Sequence, residues 1–230
     1  MFSSDPMKIA FKDLKFGTGV DVWVNNMVEA LKRNNISCDA TFWSRRYQYT
    51  PSLLKYTRMV HGDESIVHSN IVYGYAFKND QPLVVTEHHV VHDPSFLPYT
   101  SFAQKLYYRQ IRQAELKSLK VADVVTCISR YTQTMIEKTL GCYDSKLIYC
   151  GIDTEFFRPI QVDRADYGIS PDKTILLFTG NLSKRKGADL LPAIMNLLGD
   201  DYVLLTTSGL RSDLKSTCGN IRTLGTVSRP

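Results

Sequence analysis

The stretch TILLFTGNLSKRKGADLL, Thr174–Leu191, decides how this chain is read. Its first six residues form an apolar run that ends at Gly180, which predicts a buried strand over Thr174–Thr179. The turn GNLSKRKG (Gly180–Gly187) follows, and Gly187–Leu198 then spaces its apolar residues as a helix does. A strand, a glycine-bounded turn and a helix in succession form the repeating unit of a parallel sheet. Three consecutive cations, Lys184, Arg185 and Lys186, stand in that turn. Backbone N–H groups at a helix N-terminus favour anions, so the turn reads as an anion site. A solvated basic loop is the plainer reading, and the pattern alone leaves both open.

Outward from this unit the same alternation recurs. Downstream, Tyr202–Thr207 and Ile221–Leu224 read as strands. Upstream, residues 160–173 are polar and aperiodic and read as a linker. Before the linker, strands are expected at Lys8–Phe11, Cys38–Phe42, Ser65–Ser69, Leu83–Thr86, Asp123–Ile128 and Lys146–Cys150. Helices are expected at Val20–Arg33, Phe102–Lys120 and Tyr131–Leu140, the last capped by Ser129 and closed by Gly141. The fold class is therefore α/β: two Rossmann-like doubly wound parallel-sheet domains, at residues 7–159 and 174–230. Residues 1–6 read as an upstream extension. Three parallel strands with a bare edge do not bury both faces, so the second domain is expected to be incomplete and its open edge to favour self-association.

Composition narrows the function. Of 230 residues, 43% are hydrophobic and 22% charged, enough apolar content for packed cores. No apolar run approaches the roughly 20 residues that cross a bilayer, and the N-terminus lacks the pattern of a secretory signal. Five cysteines, Cys38, Cys127, Cys142, Cys150 and Cys218, are scattered without C-x-x-C spacing. That usage predicts reduced thiols and a cytoplasmic location. The formal net charge of +5 suits anionic partners such as nucleotide diphosphates or a lipid surface and argues weakly for nucleic acid.

Further candidate positions lie at strand ends. The loop FGTGV (Phe16–Val20) places Gly17 and Gly19 before a helix, where backbone can approach a phosphate; a tight turn is the alternative. His88 ends the strand PLVVTEH at the carboxyl edge, where open α/β sheets bind ligands. His89, His92 and Asp93 follow closely, but the spacing H-H-x-x-H-D before Pro94 does not suit helical metal ligation, and no metal is expected. His68 reads as a packed strand-end histidine. The helix Phe102–Lys120 carries Lys105, Arg109, Arg112, Lys117 and Lys120 against Glu115. An ordinary outer helix with a solvated basic face is the favoured reading, and peripheral contact with an anionic membrane is the other.

Several segments in this order resemble the family-four retaining glycosyltransferases of GT-B architecture: the N-terminal stretch from KIAF to the Gly17–Gly19 loop, SIVHSN, PLVVTEHH, ADVVTCIS, LIYCGIDTEFFRP and TILLFTGNLSKRKGADLL, with NIRTLGTVS at the tail. The resemblance spans most of Met7–Val227, and GIDTEFFRP and GNLSKRKG are its most specific pieces. It implies sugar transfer from a nucleoside diphosphate-sugar to a hydroxyl of an unknown glycan or lipid acceptor, with retention and without metal or other cofactor. It further implies that Lys186, with Asn181 or Arg185 and the amides of Gly17 and Gly19, holds the donor diphosphate, and that His88 contacts the donor sugar. Asn181 stands where the family carries arginine, which removes a charge from that grip. Gly151–Pro159 resembles the family's interdomain crossing, with Phe156 and Phe157 as its core contacts. In the family, further nucleotide-domain residues follow a segment like NIRTLGTVS, including a pair of glutamates at the donor, so low activity is expected of these 230 residues. The rival readings are a sugar-nucleotide epimerase, another GT-B enzyme such as a phosphorylase, and a non-catalytic or partner-binding subunit.

Overall fold

The computed structural model describes residues 7–57, 62–207 and 219–225. The chain divides into two compact units, Met1–Ile152 and Asp153–Pro230. The first is built on a six-stranded parallel sheet of β1 (Lys8–Lys15), β2 (Ser37–Ser44), β3 (Ile66–Asn70), β4 (Leu83–Glu87), β5 (Val124–Cys127) and β6 (Ser145–Leu147). Their spatial order is β2-β1-β3-β4-β5-β6. The chain leaves β1 in one direction to reach β2 and returns on the other side to form β3. The carboxyl ends of β1 and β3 therefore flank the topological switch point, the place where doubly wound sheets open a crevice.

Helices cover both faces, as a parallel sheet requires. On one face α1 (Gly19–Arg33) packs Val24 and Val28 onto Phe11 and Cys38. On the other, a larger core gathers Leu14, Trp43, Leu54, Val67, Phe77, Val85 and Ile136. That face carries two 3-10 turns at Arg45–Tyr49 and Pro51–Tyr56, the short α2 (Gly74–Phe77) and the twenty-residue α3 (Phe102–Val121). Gly74 brings α2 onto the sheet, since a Cβ there would stand 2.4 Å from Val85 Cγ1. The helix α4 (Arg130–Leu140) begins at Ser129, whose hydroxyl accepts from Thr132 N–H, and ends at Gly141 with φ +71°.

Most strands and helices fall where the pattern predicts them, and the differences are instructive. β1 continues four residues past Phe11, because Lys12 and Asp13 are buried polar residues that break the apolar run without breaking the strand. Lys12 pairs with Glu64 inside the protein. β6 is shorter than expected and stops at Leu147. The two 3-10 turns and α2 carry no periodic signal long enough to foresee.

The second unit holds the parallel strands β7 (Thr174–Phe178), β8 (Tyr202–Thr207) and β9 (Ile221–Gly225) in that order. The expected helix from Gly187 is corrected: a 3-10 turn occupies Ala188–Leu190 and α5 spans only Leu191–Leu198. Gly187 has φ +75°, outside the helical region, and Pro192 suits the first turn, where its missing N–H costs nothing. The stretch read as a linker is folded onto this unit. It forms a 3-10 turn at Arg164–Tyr167, buries Ile169, and receives Arg222 Nη1 on the carbonyls of Tyr167 and Gly168. Phe156 and Phe157 are also corrected. Their rings pack edge to face on each other, 4.8 Å apart, and stay about half exposed instead of entering a core. Leu177 and Leu197 are exposed apolar residues of this unit. The last three residues of the NIRTLGTVS segment, Thr226–Ser228, and Cys218 lie outside the described residues; the other four cysteines are free thiols.

Candidate active site

At the switch point, the chain leaves β1 through Phe16 and Gly17, and Gly17 adopts φ +70°. The Asp21 carboxylate, in the first turn of α1, accepts from Phe16 N–H and from Gly17 N–H at 3.0 and 2.7 Å. The loop is thus held by a side chain of the helix it precedes. The Gly17 amide, expected to face a diphosphate, donates to Asp21 in this structure. Gly19 opens α1 with no neighbour where a Cβ would stand, leaving its backbone approachable. Below the loop, Asp13 is almost fully buried and accepts from the N–H groups of Leu14 and Asn70, tying the ends of β1 and β3 together. Burial pushes the Asp13 carboxyl up to about 7, with the Asp21 charge adding to the rise.

One turn into α1, Trp23 reaches the end of β4, and its ring meets that of His88 edge to face at 4.6 Å. Trp23 also contacts His68, which stacks on Phe11 at 4.8 Å. His68 Nε2 bonds Thr86 Oγ1 at 2.6 Å, and Thr86 Oγ1 bonds Thr126 Oγ1 at 2.7 Å, a polar chain across three adjacent strands. Burial lowers His88 to about 4 and His68 to about 4, the latter helped by the proximity of His88. Both imidazoles are therefore neutral at physiological pH, and each can accept or donate a hydrogen bond without bringing a charge.

The other residues of the H-H-x-x-H-D segment do not converge with His88. His89 packs its ring against Phe96. His92 Nε2 meets Glu115 Oε2 of α3 at 2.8 Å. Asp93 receives the Tyr131 hydroxyl and caps the Pro94–Tyr99 turn through Ser95 N–H. Behind His88, Glu87 is fully enclosed and raised well above the usual carboxylate range by burial and by the Glu115 charge. Among the described residues, no group of three or more His, Cys, Asp or Glu side chains is placed to hold a metal ion.

In the second unit, the turn Gly180–Gly187 leaves the carboxyl end of β7, and Gly180 N–H donates to Thr207 Oγ1 at the end of β8. Gly180 has φ +104°, and a Cβ there would stand 2.7 Å from Lys186 Nζ. The absence of a side chain lets the Lys186 ammonium lie over the start of its own turn. The N–H groups of Lys186, Gly187 and Ala188 donate to Ser183 O, Lys184 O and Ser183 O. The amides expected to face a ligand at Gly187 are therefore engaged in bonds within the turn itself. What the turn presents outward is positive charge, since Lys184, Arg185 and Lys186 are all exposed.

The family model of Glycosyltransferase Family 4 matches residues 39–156, just over half the chain. The chain belongs to that family. No curated protein matches it. The matched span of this family-4 glycosyltransferase runs from β2 past β6 and includes His68 and His88. It leaves out the Gly17–Gly19 loop and all but the first four residues of the second unit.

The site residues expected from sequence thus fall into two groups. Gly17, Gly19 and His88 share the carboxyl edge of the first sheet, joined through α1 and Trp23. Asn181, Arg185 and Lys186 share one turn of the second unit. Sequence reasoning missed Trp23, Asp13 and Asp21. Trp23 reads as one more apolar residue of a helix face, and the aspartates have no motif. The only available signal was their place beside a glycine loop.

Proposed function

We propose that this family-4 glycosyltransferase moves a sugar from a nucleoside diphosphate-sugar to a hydroxyl of a glycan or lipid acceptor, with retention and without a metal ion. The observation that carries the reading is the Lys186 ammonium lying over Gly180 at the carboxyl end of β7. A single positioned cation at the end of a parallel strand suits a departing diphosphate, where charge stabilisation does the work a metal would otherwise do. Arg185 and Asn181 add a second charge and an amide from the same turn. In the first unit, neutral His88 held against Trp23 would orient a donor sugar by hydrogen bonding, with Gly19 permitting close approach of backbone. A panel of nucleoside diphosphate-sugars, offered with hydroxyl acceptors and followed by proton NMR of the anomeric centre, tests this. Transfer with the donor's anomeric configuration kept is expected. Epimerised nucleotide-sugar without transfer, or an inverted product, would overturn it.

A further inference from the structure

The first unit has a cavity of about 500 Å³ on the face of the sheet opposite α1. It opens between the two 3-10 turns after β2 and one side of α3, with α2 contributing from beneath. Tyr107, Gln110, Ala114 and Lys117 line it from α3 at intervals of three and four residues, a single helical stripe. Tyr75 and Val72, which line its floor, pack against the larger core, whereas Trp23 belongs to the core under α1. The cavity and the His68–Trp23–His88 group therefore share no residue and are separated by the sheet.

The lining has a consistent chemistry. Three phenol rings, Tyr49, Tyr75 and Tyr107, supply flat apolar surface. Three primary amides, Gln48, Gln110 and Gln113, each supply a donor and an acceptor, and Thr50 and Ser52 add hydroxyls. Existing bonds fix part of this set in place: Tyr107 Oη donates to Gln48 Oε1 at 3.2 Å, and Ser52 Oγ lies 3.3 Å from Tyr75 Oη. Among the described lining residues there is no carboxylate, thiol or imidazole, so a metal cation finds no ligands. The one charge is Lys117, and its ammonium sits 5.3 Å from the Tyr75 ring centre, engaged by the π face. A polyanion such as a nucleotide would need more. A purely apolar ligand would strand the amides without partners. The ligand that matches is flat and apolar on its faces and ringed by neutral groups that both donate and accept. Pyranose rings have that character: C–H bonds on the faces, hydroxyls on the rim.

We propose that this cavity binds a short neutral oligosaccharide, with Tyr49 and Tyr107 as stacking surfaces, Tyr75 as part of the floor and the three glutamines as its polar rim. The volume lies within the range of small-molecule sites. Ala114, buried at the middle of the stripe, keeps the floor open, since any longer side chain there would fill the space. Because the sheet separates the cavity from His88, it retains a saccharide without presenting it to that histidine. The site stands whether or not sugar transfer is the activity.

Saturation-transfer NMR on the 230-residue protein, with maltotetraose, cellotetraose, mannotetraose and chitotetraose as probes, tests the proposal. At least one is expected to bind with a Kd below ~10 mM. Tyr49→Ala, at an exposed position, and Ala114→Leu, which fills the floor, are each expected to weaken it about fivefold or more, while His88→Ala leaves it in place. Circular dichroism establishes that each variant is folded; should Ala114→Leu fail, Tyr49→Ala alone decides. No binding by any probe overturns the proposal, as does binding that survives Tyr49→Ala. Loss on His88→Ala with Tyr49→Ala unaffected would move the saccharide to the other face and overturn it equally. Tighter binding of tetragalacturonate than of every neutral probe would show a site selected by Lys117 charge and also overturn it.

Discussion

Lys186 is the residue on which the donor assignment turns. A charge-assisted contact to a diphosphate is worth about 1.5–3 kcal/mol, so Lys186→Ala should weaken binding of a nucleoside diphosphate by roughly tenfold to a hundredfold in titration calorimetry. Asn181→Arg should tighten it, since it adds charge to the same turn. Equal affinity in the Lys186→Ala variant and the parent would remove the diphosphate from this turn. His68 makes a separate prediction about stability. Unfolded, it takes a proton near pH 6.5, but in the fold burial holds it unprotonated down to about pH 4. Between those values the unfolded chain binds more protons, so falling pH costs stability, on the order of 3 kcal/mol for this group once pH reaches 4. Asp13 and Glu87, both raised, respond in the opposite sense, so the total is a sum of opposed terms. The measurement is therefore a difference: urea unfolding of His68→Gln and the parent at pH 7 and pH 4.5. The variant, whose amide can still meet Thr86, should lose less stability on acidification. A constant difference between the two would remove His68 as a source of acid sensitivity.

At the scale of elements, α3 joins two roles. Its start is a capping box: Ser101 Oγ accepts from Gln104 N–H, and Gln104 Oε1 accepts from Ser101 N–H. Ser101→Ala should cost about 1 kcal/mol in chemical denaturation, and no measurable loss would mean the helix start is held by its tertiary contacts alone. The same end of the helix carries exposed Phe102 and Leu106, with Phe102 85% exposed, beside exposed Lys105 and Arg109, and the preceding Pro94–Tyr99 turn adds exposed Leu97 and Tyr99. Apolar side chains flanked by cations suit an anionic lipid surface, although among the described residues no helix is long and apolar enough to cross a membrane. If α3 contacts membrane, vesicles rich in phosphatidylserine should sediment the parent at low salt. Lys105→Glu with Arg109→Glu should leave the protein in the supernatant. Failure of the parent to sediment returns α3 to an ordinary outer helix.

At the scale of the whole molecule, the metal question joins both units. The three histidines of residues 88–92 turn toward Trp23, Phe96 and Glu115, while the cations collect in a single turn of the second unit. In the proposed reaction, side chains of that turn would neutralise the charge on a leaving diphosphate. Glycosyl transfer, once a donor is identified, should persist in EDTA at its full rate. Inactivation by the chelator with recovery on adding manganese would show that a metal, not Lys186, carries that charge.

The alternation of apolar runs and amphipathic stretches was enough to place all nine strands of the described residues in their segments and α1, α3 and α4 in theirs, since period and capping are local properties. The glycine turn at Gly180 and the strand-end position of His88 were likewise legible, because both depend on short-range order along the chain. The start of α5 moved from Gly187 to Leu191 for a local reason that helical spacing does not carry, the positive φ of Gly187 and Pro192 in the first turn. Two things were decided only by tertiary packing. Asp21 took the Gly17 amide, a contact set by how α1 folds back on the loop. The grouping of Trp23, His68 and His88 brings together residues from three elements far apart in the chain. A sequence pattern records what each residue prefers beside its neighbours. It does not record which distant side chain will satisfy a buried donor or share a face of the sheet, because that choice is made by the strand order β2-β1-β3-β4-β5-β6 and the two cores packed against it.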